Sequence, residues 1–382
     1  MERLGIYIFV FFFLGLAFFE RARTIGETGS LWRVLFRNFL ILIFAVAGYL
    51  FIGSDFTRPG FPNEWFETAS SVFRYEAPYG VTGIDHRNTL LLEVTKNCLL
   101  SGAATLIVAV GIWELKIRLW SKWLLVAVFN LLIYPGFAMA QAPSGFLKYY
   151  DFADALLIWA LPACFVLGIR LPVSPLALPD EKDIKILPGI KHRFLFSRGI
   201  GFTMVFLVLN ATTLEGHSWI LSKTLTLIPA SFTIIFCNLL FFGLFGRNQM
   251  ERYSYAPPFF AIMAALVSTQ ACDQYQPEQA ILAGVIATFI TMLYLRLAPL
   301  KIRIWDPIAS VPIFMLGSFS GIVMATITSA ASLFPQIAGV LMCCVWGVGS
   351  GALLVVVLQR LRIVSPDRKT PNQPREDLID PA

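Results

Sequence analysis

Charge is what this chain has least of. Of its 382 residues only 14% are Asp, Glu, Lys or Arg and 57% are hydrophobic, whereas an ordinary soluble domain is roughly a quarter charged. A soluble core cannot absorb that much apolar surface, which excludes a water-soluble globular fold. Histidine is scarce as well: the three in the chain, His86, His192 and His217, all fall between apolar runs. The six cysteines, Cys98, Cys164, Cys237, Cys272, Cys343 and Cys344, lack the paired spacing of a metal site. They read as packing residues, because free Cys behaves as a small buried hydrophobe, and no cofactor is implied. No nucleophile elbow, P-loop, zinc motif or carboxylate pair at enzyme spacing is present, so nothing points to an enzyme.

What the chain does have is apolar runs of about twenty residues, each long enough for a hydrocarbon layer of roughly 30 Å. They predict helices near 5–20, 36–53, 89–112, 122–142, 151–170, 199–215, 219–245, 256–273, 278–298, 307–328 and 334–358. The expectation is an all-α membrane protein of about eleven transmembrane helices. Gly5 to Phe19 is followed by Glu-Arg-Ala-Arg instead of a small-residue cleavage site, which favours a first spanning helix over a signal peptide.

The net charge of +6 does not form one continuous face, so nucleic acid is not the expected partner. The basic residues sit in short clusters: Arg21 to Arg37, Lys116 to Lys122, Arg170 to Arg198, Arg247 to Arg252, Arg296 to Arg303 and the tail after Gln359. The alternate loops are poor in Lys and Arg. Because basic short loops stay in the cytoplasm, the pattern predicts a multi-pass protein of the plasma or inner membrane, N-terminus outside and C-terminus inside. Residues 1–358 form the transmembrane domain on this reading. Residues 359–382 form a polar cytoplasmic tail of the composition expected for disorder.

The chain also shows internal symmetry. The helix beginning at Asp151 places Trp159 eight residues later, and the one beginning near Asp306 places Phe314 eight residues after its own Asp. The first starts outside and the second inside, the form of an inverted repeat, which in transporters puts the functional site near the midplane between the halves. Two unrelated apolar helices could also agree this far by coincidence.

Several segments, in order, resemble the Amt/Mep/Rh ammonium transporter family. They are Gly15-Leu16-Ala17-Phe18-Phe19-Glu20, Asn38-Phe39-Leu40 through Val46-Ala47-Gly48-Tyr49, Tyr134-Pro135, and Asp151-Phe152-Ala153 through Leu167-Gly168-Ile169-Arg170. The later half adds Asn210-Ala211, Leu266-Val267 through Pro277 to Gly284, and Asp306-Pro307 to Gly321. The resemblance implies two inverted five-helix repeats plus one helix, assembled as a homotrimer in the lipid bilayer with one pore per subunit. It also implies an outer recruitment site, stacked gating aromatics, and two pore histidines that handle ammonium and its proton.

This chain departs from that pattern at the site itself. Trp159 and Phe314 stand at the twin-histidine positions. The gate phenylalanines fall near Cys98 or Leu99 and at Leu209, and the recruiting Trp falls near Gln141. Asp151, the vestibule anchor, is kept, with Asp306 its counterpart in the second repeat, and Thr213 stands where a vestibule Ser would be. Trp159 and Phe314 are read either as a plug in the pore or, should the alignment be off by one, as ordinary core aromatics. Glu93 and Lys96 at i,i+3 form a candidate charged pair, read either as functional, as charges within a span are by default, or as an interfacial pair reaching the headgroups. Two functions follow. One is a channel-like transporter of ammonium, ammonia or another small solute with altered pore chemistry. The other is a non-conducting scaffold or sensor with a cytosolic or membrane protein partner.

Overall fold

The computed structural model describes residues 31–48, 100–113, 115, 117–141, 155–177, parts of 229–240, 256–270, 277–301, 311–328, 333–361 and 363. The expected helices at 5–20 and 199–215, the loop 54–88 and the tail beyond 363 lie outside the described residues. Those described are helical throughout, with no β-strand among them. This is what a hydrocarbon environment demands, since a helix satisfies its own backbone polar groups without water.

Helix α1 (Leu31–Gly48) is followed by α2 (Leu100–Trp113). A short turn leads into α3 (Leu119–Val128), which passes through a π-helical turn (Phe129–Ile133) into α4 (Tyr134–Gln141). A second π turn (Leu156–Ala160) runs into α5 (Leu161–Ala177). The later half contributes α6 (Ala256–Gln270) and α7 (Pro277–Lys301). A third π turn (Val311–Leu316) then opens into α8 (Gly317–Thr328), and α9 (Leu333–Arg360) closes the series.

The π turns have a visible cause. Pro135 and Pro162 each lie two residues beyond the end of one, and Pro312 lies within the third. Proline has no N–H and its ring clashes with the carbonyl four residues earlier. For the first two, whose carbonyls four residues back lie inside the turn, widening that turn by one residue relieves the clash while keeping the helix continuous.

Three helical stretches are individually long and apolar enough to cross a membrane: Leu119–Ala138, Leu156–Val173 and Phe334–Arg360. They bury themselves very differently, 78% for Leu156–Val173 against 22% for Phe334–Arg360. The stretch through the second π turn is therefore the axis of the bundle. Helix α9 runs along the outside, with Phe334, Leu341, Val345 and Leu353 exposed, the face a lipid-bathed helix presents.

Small residues set how closely these helices approach. A Cβ on Gly351 would fall 2.5 Å from the Phe165 carbonyl oxygen, and one on Gly347 2.5 Å from the Cys164 Cβ; one on Gly168 would collide with the backbone of Val348. In the later half, a Cβ on Gly317 would lie 2.9 Å from the Ala264 carbonyl oxygen and one on Gly321 would strike Ser268. Without a hydrophobic force between helices in lipid, such backbone-close contacts carry much of the association.

Two sequence expectations are corrected. The helix expected to end at Arg170 continues to Ala177, so the inner loop begins later than Leu171. Arg170, expected at the helix end as the start of a basic cytoplasmic cluster, is instead within the helix and buried at 1% exposure. Its Nη2 donates to the Gly111 carbonyl oxygen at 3.0 Å, one of the last carbonyls of α2, where a cation also meets the negative end of the helix dipole. Lys122 Nζ donates to the Trp113 carbonyl oxygen of the same helix end at 2.7 Å.

Gly351→Ala should lower stability by about 1–3 kcal/mol, the usual cost of overpacking, whereas Gly349→Ala, whose Cβ would meet nothing within 4 Å, should be neutral or slightly stabilising. Fluorescence-monitored thermal unfolding in mild detergent checks this; equal midpoints for the two variants would contradict the close packing of α5 and α9.

Candidate functional site

The two halves meet where the second and third π turns face each other. Trp159 is the fourth residue of its turn and Phe314 the fourth of its own. Both are buried, at 1% and 3% exposure. Their rings lie 5.4 Å apart between centroids with an interplanar angle of 7°, within the range of favourable stacked pairs. Two side chains 155 positions apart in sequence are thus brought into parallel contact by equivalent turns of opposite halves.

The second turn is held by hydroxyls. Ser318 Oγ donates to the Phe314 carbonyl oxygen at 2.6 Å and Ser320 Oγ to that of Leu316 at 2.8 Å. These side chains satisfy carbonyls that the irregular turn loosens, the role Ser and Thr take at breaks in membrane helices.

Chemically the pair offers little to a polar solute. The indole is a hydrogen-bond donor only and the phenyl ring has no polar atom, so neither side chain can accept a proton as an imidazole does. A solute stripped of water here would lose several kcal/mol with no hydrogen bond in return.

The other sequence-singled residues divide plainly. Gln141 is the last residue of α4. Asp151, Leu99, Leu209, Thr213, Glu93, Lys96 and Asp306 lie outside the described residues; among the described ones the structure brings Trp159 and Phe314 together.

Sequence reasoning missed two clusters. Asn130, in the first π turn and 1% exposed, donates through Nδ2 to Thr105 Oγ1 at 2.9 Å, Ser101 Oγ at 3.3 Å and the Ala45 carbonyl oxygen at 3.5 Å. Its Oδ1 packs against Gly48, so the amide ties α1, α2 and α3 together through that glycine. The second is Cys164 against α9, where its Cβ packs on Gly347, one turn beyond the adjacent Cys343 and Cys344. Among the described residues Cys164, Cys237, Cys343 and Cys344 form no disulfide, and no group of His, Cys, Asp and Glu is placed to hold a metal ion. The adjacent Cys343-Cys344 was a signal, but nothing in sequence pointed to Cys164.

No protein-family model matches the chain and no curated protein matches it. Solved structures do. A sensor Amt protein superposes at TM-score 0.71 with 16% identity, covering 95% of this chain and 94% of its own. Mep2 of Candida albicans gives 0.63 at 14% identity, covering 94% and 83%. Rh50 of Nitrosomonas europaea, associated with conduction by the Rhesus protein family of channels, gives 0.64 at 15%, covering 95% and 88%. The architecture is therefore the multi-pass membrane fold of the Amt/Mep/Rh proteins over nearly the whole chain.

A double-mutant cycle on Trp159→Leu and Phe314→Leu, read as thermal stability, should return a coupling of about 0.5–1.5 kcal/mol, the range for stacked aromatic pairs. Strict additivity would show that the rings do not stabilise one another.

Proposed function

We propose that this chain, which has the ammonium-transporter fold, keeps that architecture while closing its midplane, so that it passes ammonium poorly or not at all and acts as a membrane sensor or scaffold. The observation that carries this reading is the buried, near-parallel contact of Trp159 with Phe314. Two large rings occupy the positions where the family resemblance calls for two imidazoles. Without a polar partner there, a loss of several kcal/mol slows passage by orders of magnitude, each 1.36 kcal/mol being tenfold in rate. The likeness to a sensor Amt protein over 95% of the chain supports a receptor role for such a fold. The proposed orientation, N-terminus outside and C-terminus cytoplasmic, rests on the alternation of basic loops.

Purified protein in liposomes, assayed for ammonium-dependent current and ammonia-driven pH change, should show no flux above empty vesicles. Robust conduction by the unmodified chain would return it to the transporters with altered pore chemistry. Trp159→His/Phe314→His is the informative comparison: flux in that variant alone would show that the site, and not the fold, was lost.

The proposed assembly is a homotrimer, and the family resemblance supports it. Mass measurement in mild detergent should then return about three times the chain mass of 42.6 kDa, and a stable monomer would count against it.

A further inference from the structure

Contacts from three parts of the chain converge at one end of the bundle. The Arg37 guanidinium lies 4.5 Å over the ring of Trp113 and its Nη2 donates to Asn38 Oδ1 at 3.3 Å. Lys122 Nζ lies 5.8 Å from the same ring centroid and donates to the Trp113 carbonyl oxygen. One turn before Lys122 stands Arg118, which is exposed. From the far end of the sequence, the chain beyond α9 turns back, and Ser121 Oγ donates to the Ile363 carbonyl oxygen at 2.8 Å. That bond brings the exposed Arg360, the last residue of α9, to the same end.

Beside these cations two large apolar side chains face outward: Trp120 is 84% exposed and Leu119 57% exposed. An exposed Trp next to basic residues at the end of a spanning helix is the composition of the membrane–water interface. Helix α1 continues from Arg37 into an apolar stripe that is also exposed, including Leu40 and Ile43. Within the connecting segment 113–122 the one acid, Glu114, is set against Lys116, Arg118 and Lys122, with Arg33 and Arg37 on α1.

We infer that this corner is a binding site for an anionic phospholipid of the cytoplasmic leaflet. Its headgroup phosphodiester would be held by Arg118, Arg360 and the Trp113-seated pair of cations, with an acyl chain laid along the Leu40–Ile43 stripe. A guanidinium held over an aromatic face is oriented before the phosphate arrives, and its planar fork matches two phosphate oxygens. Basic pockets beside cytoplasmic helix ends are suited to such headgroups. A soluble anion would use the same cations but would gain nothing from Trp120 or the apolar stripe, and this difference favours the lipid.

The test is thermal unfolding of the full-length protein in neutral detergent, titrated with short-chain phosphatidylglycerol, with phosphatidylcholine of the same chain length, or with inorganic phosphate. Phosphatidylglycerol should raise the midpoint saturably, while the other two leave it within error. Arg118→Gln/Arg360→Gln, at exposed positions, should keep the wild-type midpoint in phosphatidylcholine and weaken the phosphatidylglycerol response at least tenfold in concentration. Trp120→Ala should weaken it as well. An equal response to phosphatidylcholine, an equal response to inorganic phosphate, or an undiminished response in the double variant would each overturn the assignment. If the double variant unfolds early even in phosphatidylcholine, Trp120→Ala decides: an unchanged phosphatidylglycerol response there overturns it too.

Discussion

The rest of this molecule depends on how a proline-broken helix is made acceptable in the middle of a membrane. The stretch Leu156–Val173 is the most deeply buried of the long apolar helices described, yet Pro162 denies it a backbone donor. In water such a defect would be solvated; in hydrocarbon each orphaned carbonyl is expensive. The solution is a widened turn, and everything that touches this helix is fitted to it. Helix α9 lies against it through glycines, Arg170 anchors its inner part to the end of α2, and the equivalent turn of the other half meets it face to face.

Much of this was legible in sequence because it is periodic. Apolar runs of spanning length placed the described helices to within a few residues at most ends, and the eight-residue offset from Asp151 and from Asp306 singled out Trp159 and Phe314 before their rings were seen to touch. What was not legible depends on single contacts between distant segments. Arg170 reads in sequence as a charge at the end of its helix, because an arginine is costly inside a span; the Gly111 carbonyl, 59 residues away, gives it a partner in its buried place. Asn130 is one polar residue in an apolar run, and its value lies in Ser101 and Thr105 one helix earlier. The approach of Cys164 to Gly347, near Cys343 and Cys344, is of the same kind.

Polar groups are buried in two ways among the described residues. Asn130, Arg170 and Trp346 bond across segments, whereas hydroxyls such as Thr105 on Ser101, Thr288 on Gly284, Ser318 on Phe314 and Thr326 on Ile322 bond within single helices. A bond inside one helix adds nothing to the fit between helices. That fit also rests on close backbone contacts such as Gly168 against α9 and Gly317 and Gly321 against α6. A fold retained at 14–16% identity to its solved counterparts can be retained through such contacts, which constrain size more than chemistry.

A π turn is an α-helix with one residue added, and each residue in a helix advances the face by about 100°. The extra residue before α5 therefore sets the rotation of every side chain beyond it relative to those before it. Trp159 reaches the opposite half, and nine positions later Gly168 meets Val348, in a single frame. Losing one residue between Leu156 and Ala160 would leave composition, span length and hydropathy almost untouched. It would nonetheless turn the glycine face of α5 away from α9. In this architecture the count of residues in a turn carries positional information that hydrophobicity alone does not record.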